Sequence, residues 1–157
     1  MEKPKNRNIM IAILTDKPNV GKEIARIVGA YKFEKGYMAG NGYLVTWTFG
    51  IMLSLAMPKD YGTERMEKED FPLVPETFRL MVKHVRTDDG WIPDINAVMQ
   101  LKTIEKVFGQ CDTIIAATDA SREGEMVFRY IYSYLGCKQP VLRLWISSLT
   151  DEAVRKG

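Results

Sequence analysis

At 157 residues, with 46% hydrophobic and 27% charged side chains, the chain has the make-up of one globular domain large enough to bury a core. A formal net charge of +2 is too small to argue for nucleic acid by itself, and the single histidine, His84, gives a histidine-based metal site or triad almost no support. Cys111 and Cys137 lie far apart without metal spacing, no apolar run is long enough to span a membrane, and the N-terminus has no signal-peptide core. The expected setting is therefore the cytoplasm, with both thiols reduced.

Met1 to Asn8 is polar and basic and reads as a disordered tail. Ile9 to Thr15 is apolar throughout, as a central strand is, and Asp16 follows at its carboxyl end. Lys17 comes next, then Pro18 and Asn19, the latter a good N-cap for a helix reaching Val28. That helix carries Val20, Ile24, Ile27 and Val28 on one face, and Gly29 closes it. Its N-terminus places free N–H groups near Asp16.

Tyr31 to Ala56 reads as a β excursion, with Gly40-Asn41-Gly42 turning a hairpin between Tyr37–Ala39 and Tyr43–Thr48. Trp47 and Phe49 are expected in the core, and the short apolar run Ile51 to Ala56 fits a helical turn or a strand. Pro58 to Pro93 is charged and proline-bearing, so mostly irregular structure is expected, with one short strand near Phe78 to Val85 and a turn at Arg86 to Gly90. Asp88 and Asp89 in that turn read as loop aspartates rather than metal ligands. Asp94 caps an amphipathic helix to Phe108 that carries Ile95, Val98, Met99, Leu101, Ile104 and Val107.

The stretch from Thr113 to Glu125 organises the rest. Thr113 to Ala117 is a short apolar run of strand formers, and Asp119 stands just past it. Asp119 thus occupies the same topological place as Asp16, in the crevice where open α/β sheets set their chemistry. Glu123 lies in the first turn of the helix that follows, so two oxygen ligands could share a divalent cation. Alternatively, Asp119 and Ser121 only cap that helix and Glu123 only complements its dipole. Chemistry alone leaves both readings open. The helix runs from about Arg122 to Leu135, burying Val127, Ile131 and Leu135, and Gly136 ends it. Glu125 points away from Glu123 and is expected to pair with Arg122 or Arg129. A last strand, Val141 to Trp145, leads through Ser147 and Ser148 to a final helix capped by Thr150. That helix stops after barely two turns, which suggests an N-terminal fragment of a longer polypeptide.

Three blocks carry a resemblance. Thr118-Asp119-Ala120-Ser121-Arg122-Glu123-Gly124-Glu125 resembles the second motif of the TOPRIM fold in type IA DNA topoisomerases, topoisomerase III most closely, where the pattern is Thr-Asp-x-Asp-Arg-Glu-Gly-Glu. Thr15-Asp16-Lys17-Pro18-Asn19 is similar to the first motif, and Arg143 to Thr150 to the strand and turn after the acidic helix. The resemblance runs in order from about Ile9 to the last residue. It implies a single α/β TOPRIM (Rossmann-like) domain over residues 1–157, with a parallel sheet of about four strands, helices on both faces and an inserted β-hairpin.

The resemblance also implies roles. Asp119 and Glu123 would hold Mg²⁺, Asp16 would be the first-motif acid, Lys17 would stabilise the scissile phosphate, and Lys17 and Arg122 would contact single-stranded DNA. The nucleophilic tyrosine would lie in a later domain. None of Tyr130, Tyr132 and Tyr134 matches it, and all three read as packing or surface residues. The chain departs from the pattern at Asp16, where the family has glutamate, at Ser121, where it has the second metal aspartate, and at Ile51, where it often has histidine. A shorter acid and a neutral hydroxyl lower the expected Mg²⁺ affinity to weak, and the chain alone is expected to be inactive. Two other readings are a catalytically degenerate DNA-binding module and another TOPRIM protein of primase-like or nuclease-like type. A doubly wound phosphatase or receiver domain ranks last, because the Val141 strand offers no phosphate-binding lysine.

Overall fold

The computed structural model describes residues 9–62, 65 and 67–157. The expectation for Met1 to Asn8 lies outside them. A six-stranded sheet runs through the molecule in the order β10-β9-β1-β4-β3-β2. Its strands are β1 (Ile11–Thr15), β2 (Lys32–Glu34), β3 (Tyr37–Gly40), β4 (Tyr43–Trp47), β9 (Thr113–Ala116) and β10 (Val141–Arg143). The first, fourth, ninth and tenth strands are mutually parallel, and β2 and β3 continue the sheet antiparallel. The four expected parallel strands are therefore present, but the hairpin is not an appendage. Its second arm, β4, is itself one of the four and pairs in register from Ile11↔Tyr43 to Thr15↔Trp47.

Helices α1 (Pro18–Val28) and α4 (Asp151–Lys156) cover one face, and α2 (Ile95–Gly109) and α3 (Arg122–Tyr134) the other. Alternation along the central strands supplies both cores. Ile13 and Val45 pack with Ile24, Ile27 and Val154 on the α1 side, while Ala12, Leu14 and Ile114 pack with Ile104, Phe108, Phe128 and Ile131 on the other. Arg26 ties the α1 face together by pairing with Glu23 at 2.7 Å and Asp151 at 2.6 Å. Gly29, at φ 85°, ends α1 by donating back to Ala25 and Arg26.

Several local expectations change. Asn19 does not cap α1. Lys17 is the half-in residue and Pro18 the first helical one, a position where a missing N–H costs nothing. Trp47 is buried as expected at 4% exposure, but Phe49 is 47% exposed, because β4 ends before it and the chain leaves the sheet. The 58–93 segment is less irregular than its composition suggests. Its described residues contain two 3-10 turns and three strands, β6 (Leu80–Val82), β7 (His84–Thr87) and β8 (Gly90–Pro93). The first of these pairs with β5 (Leu53–Leu55), which settles the Ile51 to Ala56 run as a strand, and the other two form a hairpin turned at Asp88-Asp89. In α2 the side chains of Ile95 and Met99 face solvent, and Gln100 is buried in their place. Leu135, expected within α3, follows its last residue and is only partly buried.

Candidate functional site

The site forms where β1 and β9 end side by side. These strands pair from Ile11↔Thr113 to Leu14↔Ala116, so the segments leaving them, Asp16-Lys17 and Thr118-Asp119, emerge at one edge of the sheet. Hydrogen bonds fix the exits: Thr48 N–H donates to Thr15 O at 2.9 Å, the Thr48 hydroxyl and Gly50 N–H both donate to Asp16 O, and Ala117 N–H donates to Leu14 O. Asp16 is 7% exposed, whereas Asp119 and Lys17 are largely open to solvent.

Lys17 Nζ stands between the two carboxylates, 3.5 Å from Asp16 Oδ2 and 3.4 Å from Asp119 Oδ2. Burial, reinforced by the neighbouring Asp119 charge, raises the Asp16 carboxyl above the usual aspartate range, and Lys17 only partly offsets this. Lys17 is held more firmly protonated by Asp16 first and Asp119 second. The other oxygen of Asp16, Oδ1, is buried without a hydrogen-bond partner. A buried, unpaired carboxylate oxygen beside a second carboxylate is a donor set suited to a hard cation.

Asp119 leads into α3 through a tight cap. Ser121 is the N-cap, and its Oγ accepts the Gly124 N–H at 3.1 Å, while Ser121 N–H donates to Asp119 O at 2.8 Å. Gly124 makes this turn possible, since a Cβ there would collide with the Asp119 carbonyl oxygen. The capping reading of Ser121 therefore holds. Asp119 does not cap, because its carboxylate turns to Lys17. Arg122 and Glu123 open α3 on its exposed side. Among the described residues, no three carboxylate, histidine or cysteine side chains converge to hold a metal ion together. The pair that meets is Asp16 with Asp119 across Lys17, and Glu123 does not complete a triad with them. Glu125 pairs with Arg129 at 2.7 Å, as expected, and also with Arg143 at 3.6 Å.

Arg143, which opens the third block of the resemblance, carries no role of its own in the sequence reading. From the end of β10 its guanidinium donates to Thr118 Oγ1 at 2.8 Å, Ala116 O at 3.3 Å and Asp119 O at 2.7 Å. It clamps the exit segment that carries Asp119. The available signal was a lone cation inside the short apolar run Val141 to Trp145.

The family model described as the Toprim domain matches residues 11–149. Among curated proteins the chain is similar to DNA topoisomerase 3 of Bacillus subtilis, 40% identical over 147 residues, and to DNA topoisomerase 3 of Shouchella clausii, 36% identical over 150. DNA topoisomerase 3 of Bacillus licheniformis is 37% identical over 147 residues. These matches cover 92–93% of this chain but only 19% of each relative, so the chain spans about a fifth of their length. The family match covers both strand-end acids and every parallel strand between them, and on that ground the chain belongs to the Toprim family.

Proposed function

We propose that this chain is the TOPRIM part of a type IA DNA topoisomerase III, working with a tyrosine from a later domain to cut and reseal one DNA strand in the cytoplasm. The observation that supports this reading best is the pair of strand-end acids, Asp16 and Asp119, meeting across Lys17. In this reading the tyrosine oxygen, its proton lost to solvent, attacks a backbone phosphorus of single-stranded DNA, a 5′-phosphotyrosyl ester forms, and the bond to the 3′ oxygen breaks. Asp16, whose burial favours its protonated form, gives that oxygen its proton and takes it back on resealing. The Lys17 ammonium pairs with the phosphate oxygens, and Arg122, exposed at the start of α3, contacts the strand.

Asp119 would offer carboxylate oxygens to Mg²⁺, Asp16 would join it only once it has given up its proton, and Glu123 only if α3 or its side chain closes on the ion. When bound, Mg²⁺ would neutralise charge on the phosphate. Ser121 adds no charge, and its oxygen is already engaged by the Gly124 N–H, so weak binding is the expectation carried forward.

The test replaces the corresponding segment of the Bacillus subtilis relative with this chain. Plasmid relaxation and a trapped covalent complex are expected from the chimera, and both are lost with Lys17→Ala. Calorimetric titration with Mg²⁺ is run on the chain and on the Asp16→Glu, Ser121→Asp double variant, which is expected to bind more tightly. The chain alone is expected not to relax plasmid, and relaxation by it would sink the reading. The Ser121 cap favours one second reading, a DNA-binding module without catalysis. Oligonucleotide binding indifferent to Mg²⁺, with an inert chimera, would select it.

A further inference from the structure

A concavity of about 780 Å³ opens between the turn joining β2 to β3, the segment after β4 and the first half of α2. Lys35, Phe49, Met99 and Lys102 line it, and the buried Gln100 amide forms part of its inner side. Phe49 and Met99 are 47% and 45% exposed, and both line this groove, so an aromatic ring and a thioether meet solvent side by side there. Lys35 and Lys102 are exposed and have no ion-pair partner among the described residues. The one carboxylate in the lining, Asp94, is already committed: it accepts from the Asn96 and Ala97 N–H groups and pairs with Lys83 at 3.6 Å. The groove therefore combines exposed apolar surface from Phe49 and Met99 with polar groups such as the Gln100 amide, and Lys35 and Lys102 add positive charge.

Its position links it to the acids. Phe49 lies between Thr48 and Gly50, and both neighbours donate to the Asp16 carbonyl oxygen, at 3.1 and 3.2 Å. The ring is thus carried on a loop pinned to the backbone of the first strand-end acid.

We propose that this groove is a stacking subsite for one base of single-stranded DNA, with the base against Phe49 and Met99 and the adjoining phosphates on Lys35 and Lys102. It rests on the reading of the chain as part of a DNA-cleaving enzyme and adds where the strand runs next to the acids. An aromatic face with flanking lysines is what a sequence-tolerant single-strand site requires, because every base offers a π-face and every phosphate a charge.

The experiment measures fluorescence anisotropy of a labelled oligothymidylate, roughly a dozen nucleotides long, with the chain and four variants. Phe49→Ala and Lys35→Glu/Lys102→Glu are each expected to weaken binding about tenfold, the scale of one lost stacking contact. Phe49→Tyr keeps the ring and is expected to bind as the parent does. Because Phe49 and both lysines are exposed, thermal melts of these variants are expected to match the parent. A 4-thiothymidine oligonucleotide is expected to crosslink to Phe49 or Met99. If Lys17→Ala weakens binding but the groove variants do not and crosslinks fall elsewhere, the subsite is wrong and the acidic site stands. If the parent chain binds no oligonucleotide, the subsite is overturned, and the chimera separately decides the proposed function.

Discussion

The Asp119 carbonyl oxygen occupies the space that a Cβ on Gly124 would fill. Two carbonyl-directed donors, Ser121 N–H and Arg143 Nη2, hold that oxygen in place, so it cannot move aside cheaply. Gly124→Ala is expected to destabilise the domain by about 2 kcal/mol, since overpacking against backbone outweighs the gain of at most roughly 1 kcal/mol that alanine brings to a helical position. Urea unfolding of the variant checks this. A neutral or stabilising result would mean that helix propensity decides the position.

Asp16 is a stability cost at neutral pH. The native state holds its proton more tightly than the unfolded chain does, because burial and then the Asp119 charge disfavour the anion. Stability therefore falls as pH rises from the ordinary aspartate range through the raised value of Asp16, and levels off above it. Asp16→Asn is expected to melt about 3 °C higher at pH 7, on the order of 1 kcal/mol. The gain should vanish at pH values below the ordinary aspartate range. In the chimera the same substitution is expected to abolish cleavage, giving a variant that is more stable and less active. Equal melting temperatures at pH 7 would remove the argument.

Arg143 spreads two guanidinium nitrogens over three acceptors on the segment from Ala116 to Asp119. A lysine ammonium cannot reproduce that planar fork. Arg143→Lys is expected to cost about 2 kcal/mol and to speed amide hydrogen exchange between Ala117 and Ser121. Unchanged exchange in that segment, whatever the melting temperature, would show that Arg143 does not hold it.

Gln100 sits 5% exposed on an otherwise apolar stretch of α2, with its Nε2 near Gly36 O, Thr46 Oγ1 and Trp47 O at 3.0, 3.3 and 2.7 Å. Gln100→Leu preserves volume but leaves Trp47 O without this donor, at a cost of about 1–3 kcal/mol. The neighbouring Met99→Leu is expected to be near neutral, because Met99 is exposed. Chemical denaturation of the two variants side by side provides the comparison.

The positions of the two acids were legible because each follows a short apolar run and precedes a helical pattern, and parallel strands must deliver such residues to one edge. The Gly40-Asn41-Gly42 turn was legible for an equally local reason, and Asn41 does take a positive φ of 51° there. What stayed hidden depends on partners distant in sequence. Gln100 reads as a surface residue until the β2–β3 turn supplies Gly36 O, 64 residues away. The three-residue strands β5 and β6 are too short for period-two alternation to register. Phe49 departs from its expected burial because hydrophobicity favours a buried aromatic ring, whereas the path of the chain beyond β4 sends it outward. The shared Lys17 could not be inferred from spacing, since it sits next to Asp16 in the chain and 102 positions from Asp119.

The hairpin that became part of the main sheet gives the domain an order of assembly. β2, β3 and β4 lie within sixteen positions of one another and pair antiparallel, so they can close without bringing distant segments together. β9, by contrast, must find β1 across about a hundred residues before Asp119 can face Asp16. The meander and α1 are therefore expected to be native-like in the folding transition state, with high φ-values around Val45, while Ile114 and Phe128 remain low. On this account the two halves of the acidic site meet in one of the last events of folding, and an unfinished chain holds Asp16 and Lys17 in place without their counterpart.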